Sequence, residues 1–387
     1  MSTNKFDVIV VGGGPAGSAA ARTLSTAGIK VCLLDKENFP REKLCGGLLT
    51  MRSKKIYDQV FQTSWDPVIE KVSRGVSFFS KDSMLRSLRD YKDLFSIQRR
   101  NFDHFLLRLA ADAGTELRLG LAVKNVDCSS NILQLSDGTE LSAKHIIGAD
   151  GVNSRVARSL YGQPFNNKWI GFGLEMEVPL KDGFENIPDP EIYFGVVKYG
   201  YGWVFPKKDT MTAGIGGLLS KNPDMRQEFE TFLKARFGRV PNAGIKGCFI
   251  PTGDYRMPPG RKNILLCGDA ANLAEPITGE GISFAMQSGH YAALSVIESN
   301  RTGKSVMELY LKRYREITNA FDYSRKLRYL VFPGPCERAL TRSLSKTESL
   351  AKKHMDLMAG DLEYPEYFRH IIWRTCKKIL KKIIGEQ

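Results

Sequence analysis

The sequence lacks an uninterrupted apolar run of roughly 18 residues, which a helix needs to cross a bilayer. Its first apolar stretch, residues 8–11, is too short for the core of a signal peptide and leads directly into glycines. Cysteine is sparse, with seven residues scattered along the chain and no C-x-x-C pair, and the five histidines show no metal-like spacing. This pattern argues against a disulfide framework and against a zinc site. We therefore expect a protein of a reducing compartment, the cytoplasm, that holds no metal.

What the sequence does contain is typical of a globular protein. Of its 387 residues, 42 % are hydrophobic and 25 % are charged, and this length allows two or three domains. Basic residues are in excess, because 56 Lys and Arg stand against 42 Asp and Glu, which gives a formal net charge of +14. Residues 325–387 hold 14 basic and 7 acidic residues, so this region alone contributes +7.

The basic excess coincides with a predicted amphipathic helix in the C-terminal region. An apolar stripe recurs at helical spacing and lysines lie away from it; the stripe is Phe368, Ile372, Thr375, Cys376, Ile379 and Ile383, the lysines are Lys377, Lys378, Lys381 and Lys382, and Trp373 is suited to an interface. Such a helix can lie on an anionic membrane surface, which would place the protein at the membrane periphery. It can equally dock on its own protein with a solvated lysine face. No nucleic-acid-binding fold is recognisable, so nucleic acid is not an expected partner.

The first 35 residues read as a strand, a glycine-rich turn, a helix and a second strand. The strands are predicted at residues 6–11 and 30–34, and the helix at residues 18–27, ended by Gly28. This is a βαβ unit of the usual length. Later elements are helices at 101–113 and 283–298 and strands at 122–126, 132–135, 146–149 and 264–267.

Between residues 166 and 255 aromatic residues alternate with scattered glycine and proline, which predicts an antiparallel sheet. We therefore predict an α/β protein, α+β overall, in which a Rossmann-like dinucleotide-binding domain is interrupted by an antiparallel-sheet substrate domain and followed by a helical C-terminal extension. The predicted boundaries are 1–75, 96–165 and 256–320 for the first domain, 76–95 and 166–255 for the sheet domain, and 321–387 for the basic helical region.

The glycine-rich turn has the spacing G-x-G-x-x-G. Gly12 allows a tight turn, Gly14 lets a diphosphate approach the backbone, and Gly17 lets the helix pack on the strand. The N-terminus of the helix then presents free N–H groups to the phosphates. Asp35 ends the second strand and is placed to accept hydrogen bonds from a ribose diol. The unit therefore predicts a site for an adenine dinucleotide.

Two further segments each follow a strand and contain a glycine–aspartate pair. One is I-G-A-D-G-V-N-S at 147–154, and the other is L-C-G-D-A-A at 266–271, which continues into P-I-T-G-E-G-I at 276–282. Together with the first glycine motif they resemble the flavoprotein superfamily built like p-hydroxybenzoate hydroxylase, over about residues 5–320. The resemblance implies FAD, bound non-covalently, as the cofactor. Taken singly, the aspartates of these two segments could also be caps of turns.

The resemblance also implies roles for individual residues. Asp269 would contact the ribityl chain of FAD, Asp150 would lie beside the diphosphate, and Arg99 matches the arginine that supports the phosphate region. The P-x-x-G-x-G segment would lie along the flavin ring. The predicted FAD-binding residues are Gly12, Gly13, Gly14, Pro15, Ala16, Gly17, Asp35, Lys36, Arg99, Val123, Asp150, Gly151, Gly268, Asp269, Pro276, Gly279, Glu280, Gly281 and Ile282.

Two more motifs narrow the family to one similar to geranylgeranyl reductases. K-L-C-G-G at 43–47 resembles their K-x-C-G-G element beside the flavin, and Y-G-W-V-F-P at 201–206 resembles their Y-x-W-x-F-P element in the prenyl pocket. The implied reaction is reduction of carbon–carbon double bonds in an isoprenoid by hydride from reduced FAD. The resemblance implies Lys43, Cys45, Gly46 and Gly47 as the flavin-proximal, catalytic residues and Tyr201, Trp203 and Phe205 as the substrate-pocket residues.

These residues also have plainer interpretations. Cys45 is compatible with a small buried hydrophobe and Lys43 with a solvated lysine. Tyr201, Trp203 and Phe205 alternate with period two and therefore share a sheet face, which could be core. Paired glycines such as Gly171 with Gly173, and residues 216–217, are typical of tight packing or bulges in a sheet.

Other functions stay open at this point. Flavin-dependent halogenases have W-x-W-x-I-P where this chain has Y-x-W-x-F-P, but their G-E-S segment is absent here. Related flavoproteins hydroxylate a tryptophan of a partner protein during tryptophylquinone maturation, so a monooxygenase acting on an aromatic ring is the alternative enzyme. A flavoprotein scaffold without turnover is a third hypothesis.

The sequence contains no second G-x-G-x-x-G domain for a nicotinamide cofactor. Electrons are therefore expected from transient contact with NAD(P)H or from a reduced ferredoxin, an acidic protein that a charge of +14 would attract. The expected partners are a hydrophobic small molecule or lipid as substrate, or an acidic client protein, with the membrane surface as a further contact.

Overall fold

The computed structural model describes residues 5–252 and 254–373. Its strands, in chain order, are β1 (Lys5–Val11), β2 (Val31–Asp35), β3 (Leu48–Thr50), β4 (Ile69–Ser73), β5 (Val76–Ser80), β6 (Ser83–Leu88), β7 (Leu94–Ile97), β8 (Glu116–Leu119), β9 (Val123–Asp127), β10 (Ile132–Leu135), β11 (Glu140–Gly148), β12 (Gly171–Pro179), β13 (Glu191–Phe194), β14 (Gly200–Pro206), β15 (Thr210–Leu218), β16 (Lys246–Ile250), β17 (Gly260–Arg261) and β18 (Ile264–Leu266). The helices are α1 (Pro15–Thr26), α2 (Met51–Phe61), α3 (Arg99–Asp112), α4 (Arg155–Tyr161), α5 (Met225–Phe237), α6 (Ile282–Thr302), α7 (Val306–Val331), α8 (Gly334–Lys346) and α9 (Glu348–Ala359).

The first sheet has eight strands and a parallel centre. Strands β18, β11, β1, β2 and β8 run parallel in that order, β17 pairs antiparallel with β18, and the β9–β10 hairpin pairs with the start of β11. Val8, Ile9 and Val10 are fully buried, and α1 packs on β1, β2 and β11 while α6 packs on α1, as expected for a parallel sheet, whose faces are covered. The carboxyl ends of β1, β2, β11 and β18 meet at one edge, which is where ligands bind in open α/β sheets.

The second sheet has seven strands in the order β16-β12-β15-β14-β13-β5-β6 and is antiparallel except where β13 pairs with β5. One face packs on α5, with Phe229, Phe232 and Leu233 buried against it. The opposite face carries glycines and aromatic residues and faces the first sheet's binding edge. A three-stranded sheet, β3-β7-β4, is formed by strands that lie between β2 and β8 of the first sheet in the chain, with β5 and β6 of the second sheet inserted between β4 and β7.

The C-terminal helices complete both layers. Helix α7 packs on α6, and the Tyr310 hydroxyl donates to the Leu266 carbonyl over 2.8 Å. Helices α8 and α9 pack against β6, where Leu344, Leu350 and Met355 are buried with residues of the second sheet. Residues 364–373 are also helical. The C-terminal region therefore covers the outer end of the second sheet.

The predicted fold class is confirmed, and the element boundaries are corrected in places. The helix predicted at 18–27 begins at Pro15, because proline suits the first turn of a helix. The strand predicted at 146–149 is the end of a longer strand, β11, and the helix predicted at 283–298 extends over Ile282–Thr302. The domain boundaries stay a prediction. Among the described residues no helix is long and apolar enough to cross a membrane, and the lysines of the proposed amphipathic helix lie outside them.

Candidate functional site

The glycine turn joins β1 to α1 at the binding edge. Gly12 has φ +106°, and a Cβ on it would lie 2.3 Å from the Ala149 carbonyl oxygen, so only glycine fits. Helix α1 starts at Pro15 with Gly14 as its N-cap, and no side chain caps it. The N–H groups of its first turn are therefore left to a ligand, with the positive end of the helix dipole behind them.

Asp35, the predicted ribose ligand, also holds the glycine turn in place. Its Oδ2 accepts from the Gly13 N–H at 2.7 Å, and its Oδ1 accepts from the Glu37 N–H at 2.9 Å. The carboxylate still lines the cavity described below. It therefore ties the glycine turn to the end of β2 and presents its remaining lone pairs to a ligand.

A pair of arginines shares one aspartate beside the glycine turn. Arg99 donates to Asp103 through two bonds of 2.7 Å, and Arg41 donates to the same carboxylate over 3.1 Å. Burial lowers the pKa of Arg99, but Asp103 outweighs it, so the pKa stays above its ordinary value. Arg99 also lines the cavity, so its predicted support of the phosphate region stays a prediction, and through Asp103 it is coupled to Arg41.

Arg41 has the geometry expected of a phosphate ligand. Its guanidinium stacks on Phe39 at 4.7 Å from the ring centroid, and its Nη1 is buried with no hydrogen-bond partner among the described residues. A Cβ on Gly14 would lie 3.6 Å from its Nη2. A buried, unpaired guanidinium N–H beside the N-terminus of α1 is suited to an anionic oxygen. The residues present therefore fit the diphosphate of FAD.

Asp150 caps a helix in addition to lining the cavity. Its carboxylate accepts from Ser154 Oγ at 2.5 Å and from the N–H groups of Arg155 and Val156 at 2.6 and 3.3 Å, at the start of α4. Burial raises its pKa. Asp150 therefore does cap backbone N–H groups, which was the alternative interpretation from the sequence. A contact with a cofactor would be in addition to these hydrogen bonds.

The segment 275–282 is held by a buried glutamate. Glu275 is fully buried and accepts from the N–H groups of Ile277 and Thr278 at 2.9 and 2.6 Å. The Tyr201 hydroxyl donates to the Thr278 carbonyl, which ties this segment to the second sheet. Burial also raises the pKa of the neighbouring Glu280. The loop expected beside the flavin ring is therefore rigidly positioned.

The loop 43–47 lies between this segment and the second sheet. The Cys45 N–H donates to Glu175 Oε1 at 2.7 Å, and the Gly47 N–H donates to Cys45 Sγ at 3.4 Å. A Cβ on Gly46 would lie 2.8 Å from the Phe205 ring and 3.1 Å from Trp203 Nε1. The paired glycines let this backbone lie directly against the aromatic side chains of β14.

Those aromatic side chains form one wall. Tyr201, Trp203 and Phe205 follow one another on the same face of β14, with ring centroids 5.9 and 6.1 Å apart. The Trp203 indole lies across Gly214 of β15, where a Cβ would be 2.3 Å from its ring, and near Gly216. Gly216, which was interpreted as a packing residue, and its neighbour Gly214 thus make room for the tryptophan. Trp203 and Phe205 are buried and Tyr201 is partly buried, and all three line the cavity described below, so core packing and pocket lining coincide here.

These walls enclose a cavity of about 1170 Å³, larger than the roughly 300–1,000 Å³ of ordinary small-molecule sites. It starts at the glycine turn, passes the loop 43–47 and β14, and ends among apolar side chains of the second sheet and the C-terminal helices. That end is lined by Phe78, Phe194, Leu340, Leu344 and Leu350, among others. One cavity therefore joins a dinucleotide-type site to an apolar chamber.

The structure brings most of the predicted site residues to this cavity. Its lining includes Gly12, Gly14, Pro15, Ala16, Asp35, Lys36, Lys43, Cys45, Gly46, Gly47, Arg99, Val123, Asp150, Gly151, Tyr201, Trp203, Phe205, Asp269, Pro276, Gly279, Glu280, Gly281 and Ile282. Gly13, Gly17 and Gly268 are not in the lining. A Cβ on Gly17 would lie 1.8 Å from the Gly12 carbonyl oxygen, and one on Gly268 would lie 3.1 Å from the Ala16 Cβ, so both serve packing.

Arg41, Glu175 and His354 also line the cavity, and none of them was predicted as a site residue. Arg41 stands in a basic stretch with no motif of its own, and Glu175 reaches the cavity only because β12 places it on the same face as Gly173. His354 lines the apolar end, where burial lowers its pKa to about 4 and the Tyr367 hydroxyl lies 3.5 Å from its Nδ1. Only the alternation along β12 could have indicated Glu175.

The comparisons with known proteins agree with this site. Residues 5–182 match a family described as an FAD binding domain, so the fold and the site define an FAD-dependent oxidoreductase. The chain is 30 % identical over 386 residues to menaquinone reductase of Mycobacterium tuberculosis, covering 92 % of each chain. It is 30 % identical over 319 residues to geranylgeranyl diphosphate reductase of Rhodobacter capsulatus, covering 78 % of this chain and 77 % of that one.

Solved structures share the fold. A geranylgeranyl bacteriochlorophyll reductase-like protein from Thermoplasma acidophilum has a TM-score of 0.76 at 21 % identity, covering 99 % of both chains. The flavin-dependent brominase Bmp2 has a TM-score of 0.75 at 21 % identity, covering 97 % of this chain and 100 % of that one. The chain belongs to the geranylgeranyl reductase family of FAD-dependent oxidoreductases.

Proposed function

We propose that this protein reduces carbon–carbon double bonds in the prenyl chain of a lipid, quinone or diphosphate. The observation that carries the proposal is the single cavity that leads from the glycine turn, past the loop 43–47 and β14, into an apolar chamber. A flexible isoprenoid has few polar groups, so binding has to come from apolar enclosure. The names of the relatives mention geranylgeranyl diphosphate and menaquinone, which both carry prenyl chains.

FAD would be held at the glycine-turn end of the cavity. The first turn of α1 and Arg41 would bind its diphosphate, Asp35 its ribose, and the segment 276–282 with Gly46 would flank its ring. Bound there, the reduced cofactor supplies hydride, while the protein orients the double bond and excludes water. The Tyr201, Trp203 and Phe205 wall would fix the chain over the ring.

The electron donor in this proposal is NAD(P)H or a reduced ferredoxin. The net charge of +14 supports an acidic protein donor, because opposite charge raises the rate of encounter. Contact with an anionic membrane surface would bring the enzyme to a lipid substrate. Measuring the turnover rate with a reduced ferredoxin at increasing ionic strength tests the protein donor. The rate should fall, because steering by charge weakens as the salt concentration increases.

The test uses the purified FAD-bound protein, reduced without oxygen by dithionite. It is mixed with geranylgeranyl diphosphate, menaquinone or a prenyl-ether phospholipid, and the product is analysed by mass spectrometry. We expect two added hydrogen atoms per reduced double bond and reoxidation of the flavin only when substrate is present. A protein that leaves every prenyl compound unchanged would contradict the proposal.

A second experiment separates reduction from oxygen activation. Reduced protein is mixed rapidly with oxygen, and the flavin spectrum is followed with and without prenyl substrate. Featureless reoxidation is expected for a reductase. A discrete intermediate before reoxidation, together with hydroxylated or halogenated aromatic product, would replace the proposal with the monooxygenase alternative.

A further inference from the structure

Reduction of a double bond by hydride also requires a proton, and the proposed function above names no group that donates it. We therefore searched the cavity wall beside the loop 43–47 for an acidic side chain. Glu175 lies on β12, on the cavity wall, and is 8 % exposed. Its Oε1 accepts the Cys45 N–H at 2.7 Å, so the carboxyl is anchored to the residue directly before the Gly46–Gly47 pair. Its second oxygen has no hydrogen-bond partner among the described residues. It is the acidic side chain joined directly to this loop.

We propose that Glu175 is the proton donor to the substrate carbon in the prenyl reduction. This inference rests on the proposed function. The carboxyl O–H bond breaks and its proton forms a C–H bond at one carbon of the double bond, while hydride from the reduced flavin adds to the other carbon. The double bond gains two electrons and the flavin loses two. Solvent then returns a proton to the Glu175 carboxylate.

The surroundings bring the pKa of this carboxyl into the neutral range, so that a protonated fraction is present there. Burial raises the pKa of Glu175 to about 7, and the nearby Glu177 acts in the same direction. The Cys45 N–H, Lys207 and Arg99 oppose the shift and are outweighed. Cys248 on β16 faces the same group, and burial raises its thiol pKa to about 12, so it adds no charge near neutral pH. A carboxylic acid with this pKa can give and recover a proton at physiological pH.

The neighbouring charged pair has a different task. Glu177 points from the same face of β12, but it accepts from Lys207 Nζ at 2.6 Å and from the hydroxyls of Thr210 and Thr212 at 2.8 and 2.6 Å. Its carboxylate is therefore engaged by an ammonium group and held ionised, with its pKa lowered. Of the two glutamates, Glu175 alone combines a place in the cavity lining with an unengaged oxygen.

The experiment measures anaerobic reoxidation of dithionite-reduced, FAD-bound protein by a prenyl substrate, across a pH series. For E175Q we expect the same flavin content and at least about a 100-fold slower reaction. The wild-type rate should fall as pH rises above about 7, whereas the E175Q rate should not follow that titration. E185Q makes the same chemical change at an exposed position and should match wild type.

A readout without turnover completes the test. In protein labelled with ¹³C at glutamate carboxyls, one resonance should titrate near pH 7 in wild type and be missing in E175Q. If E175Q loses its flavin, E175D is read instead: a carboxyl one methylene farther from the loop should slow the reaction and keep the wild-type form of the pH profile.

The outcomes separate the two proposals. If wild type reduces no prenyl substrate, the proposed function fails and the role of Glu175 fails with it. If wild type is active and E175Q reacts as fast, or is slower with an unchanged pH profile, the prenyl reduction stands and the assignment of Glu175 is overturned. Absence of a carboxyl that titrates near pH 7 also overturns the assignment.

Discussion

Replacing Glu175 with glutamine should change how the stability of the protein depends on pH. Burial raises the pKa of this carboxyl from 4.5 to about 7 in the folded protein. Between these values the folded chain retains a proton that the unfolded chain has released, so folding becomes less favourable as pH rises. The contribution of Glu175 is fully present below about pH 4.5 and is lost as pH rises through about 7. Glutamine does not titrate, so E175Q escapes this loss.

The size of the effect follows from the shift. A pKa change from 4.5 to about 7 corresponds to about 3 kcal/mol, at about 1.4 kcal/mol per unit. Unfolding entropy of about 2 cal/mol/K per residue gives about 0.8 kcal/mol/K for 387 residues, so 3 kcal/mol equals about 4 °C in Tm. The Tm of E175Q, relative to that of wild type, should therefore rise by about 4 °C between about pH 4.5 and about pH 8.

Calorimetric or circular-dichroism melting of the FAD-bound proteins measures this difference, and Glu177 provides a control of opposite sign. Burial raises the pKa of Glu177, but Lys207 and the nearby hydroxyls lower it further, to below its ordinary value. Its contribution is therefore present above that ordinary value and is lost as pH falls through the folded pKa. E177Q should be less stable than wild type near neutrality and recover in acid. Equal Tm differences for E175Q at both pH values would refute the reasoning.

Three further predictions concern the walls of the cavity. R41A should weaken FAD binding by about 10- to 100-fold in a fluorescence titration, because a charged hydrogen-bond donor to the diphosphate is lost, whereas R100A on the exposed side of α3 should not. G214A places a Cβ 2.3 Å from the Trp203 ring and should cost about 1–3 kcal/mol, measured by melting; the double variant G214A/W203F should recover part of it, and no recovery would contradict the contact. L340W should fill the apolar end of the cavity and slow reduction of geranylgeranyl more than of geranyl substrates, and equal slowing of both would argue against a chamber for the chain.

The cofactor end of the site was largely predictable, because its function depends on local backbone geometry. A glycine is required where the chain turns from β1 into α1, since a Cβ on Gly12 would collide with Ala149. Strand, turn and helix follow one another within 35 residues, so the motif appears directly in the sequence. The same holds for the alternation of Tyr201, Trp203 and Phe205, which places them on one face of β14.

The hydrogen-bond partners of the charged site residues could not be predicted from local patterns. The sequence indicated Arg99 near the phosphates, but it did not indicate that Arg99 pairs with Asp103. Nor did it indicate that Arg41, 58 positions earlier, has a buried guanidinium N–H without a partner among the described residues. The sequence indicated Asp150 beside the diphosphate, but only the structure shows that its carboxylate also accepts from the first N–H groups of α4. In each case the side chain responds to a neighbour brought close by packing, which a linear motif does not specify.

The sequence by itself determined the two sheet types, the FAD-binding turn and the family, because these follow from short-range patterns of glycine and apolar residues. Only the tertiary structure brings the Glu175 carboxyl to the backbone N–H of Cys45, 130 positions away, and removes this carboxyl from water. The tertiary structure also placed the C-terminal helices across the second sheet, so that Leu340 and Leu344 close the apolar end of the cavity. Desolvation and enclosure depend on atoms from distant parts of the chain, and they exist only after the chain has folded.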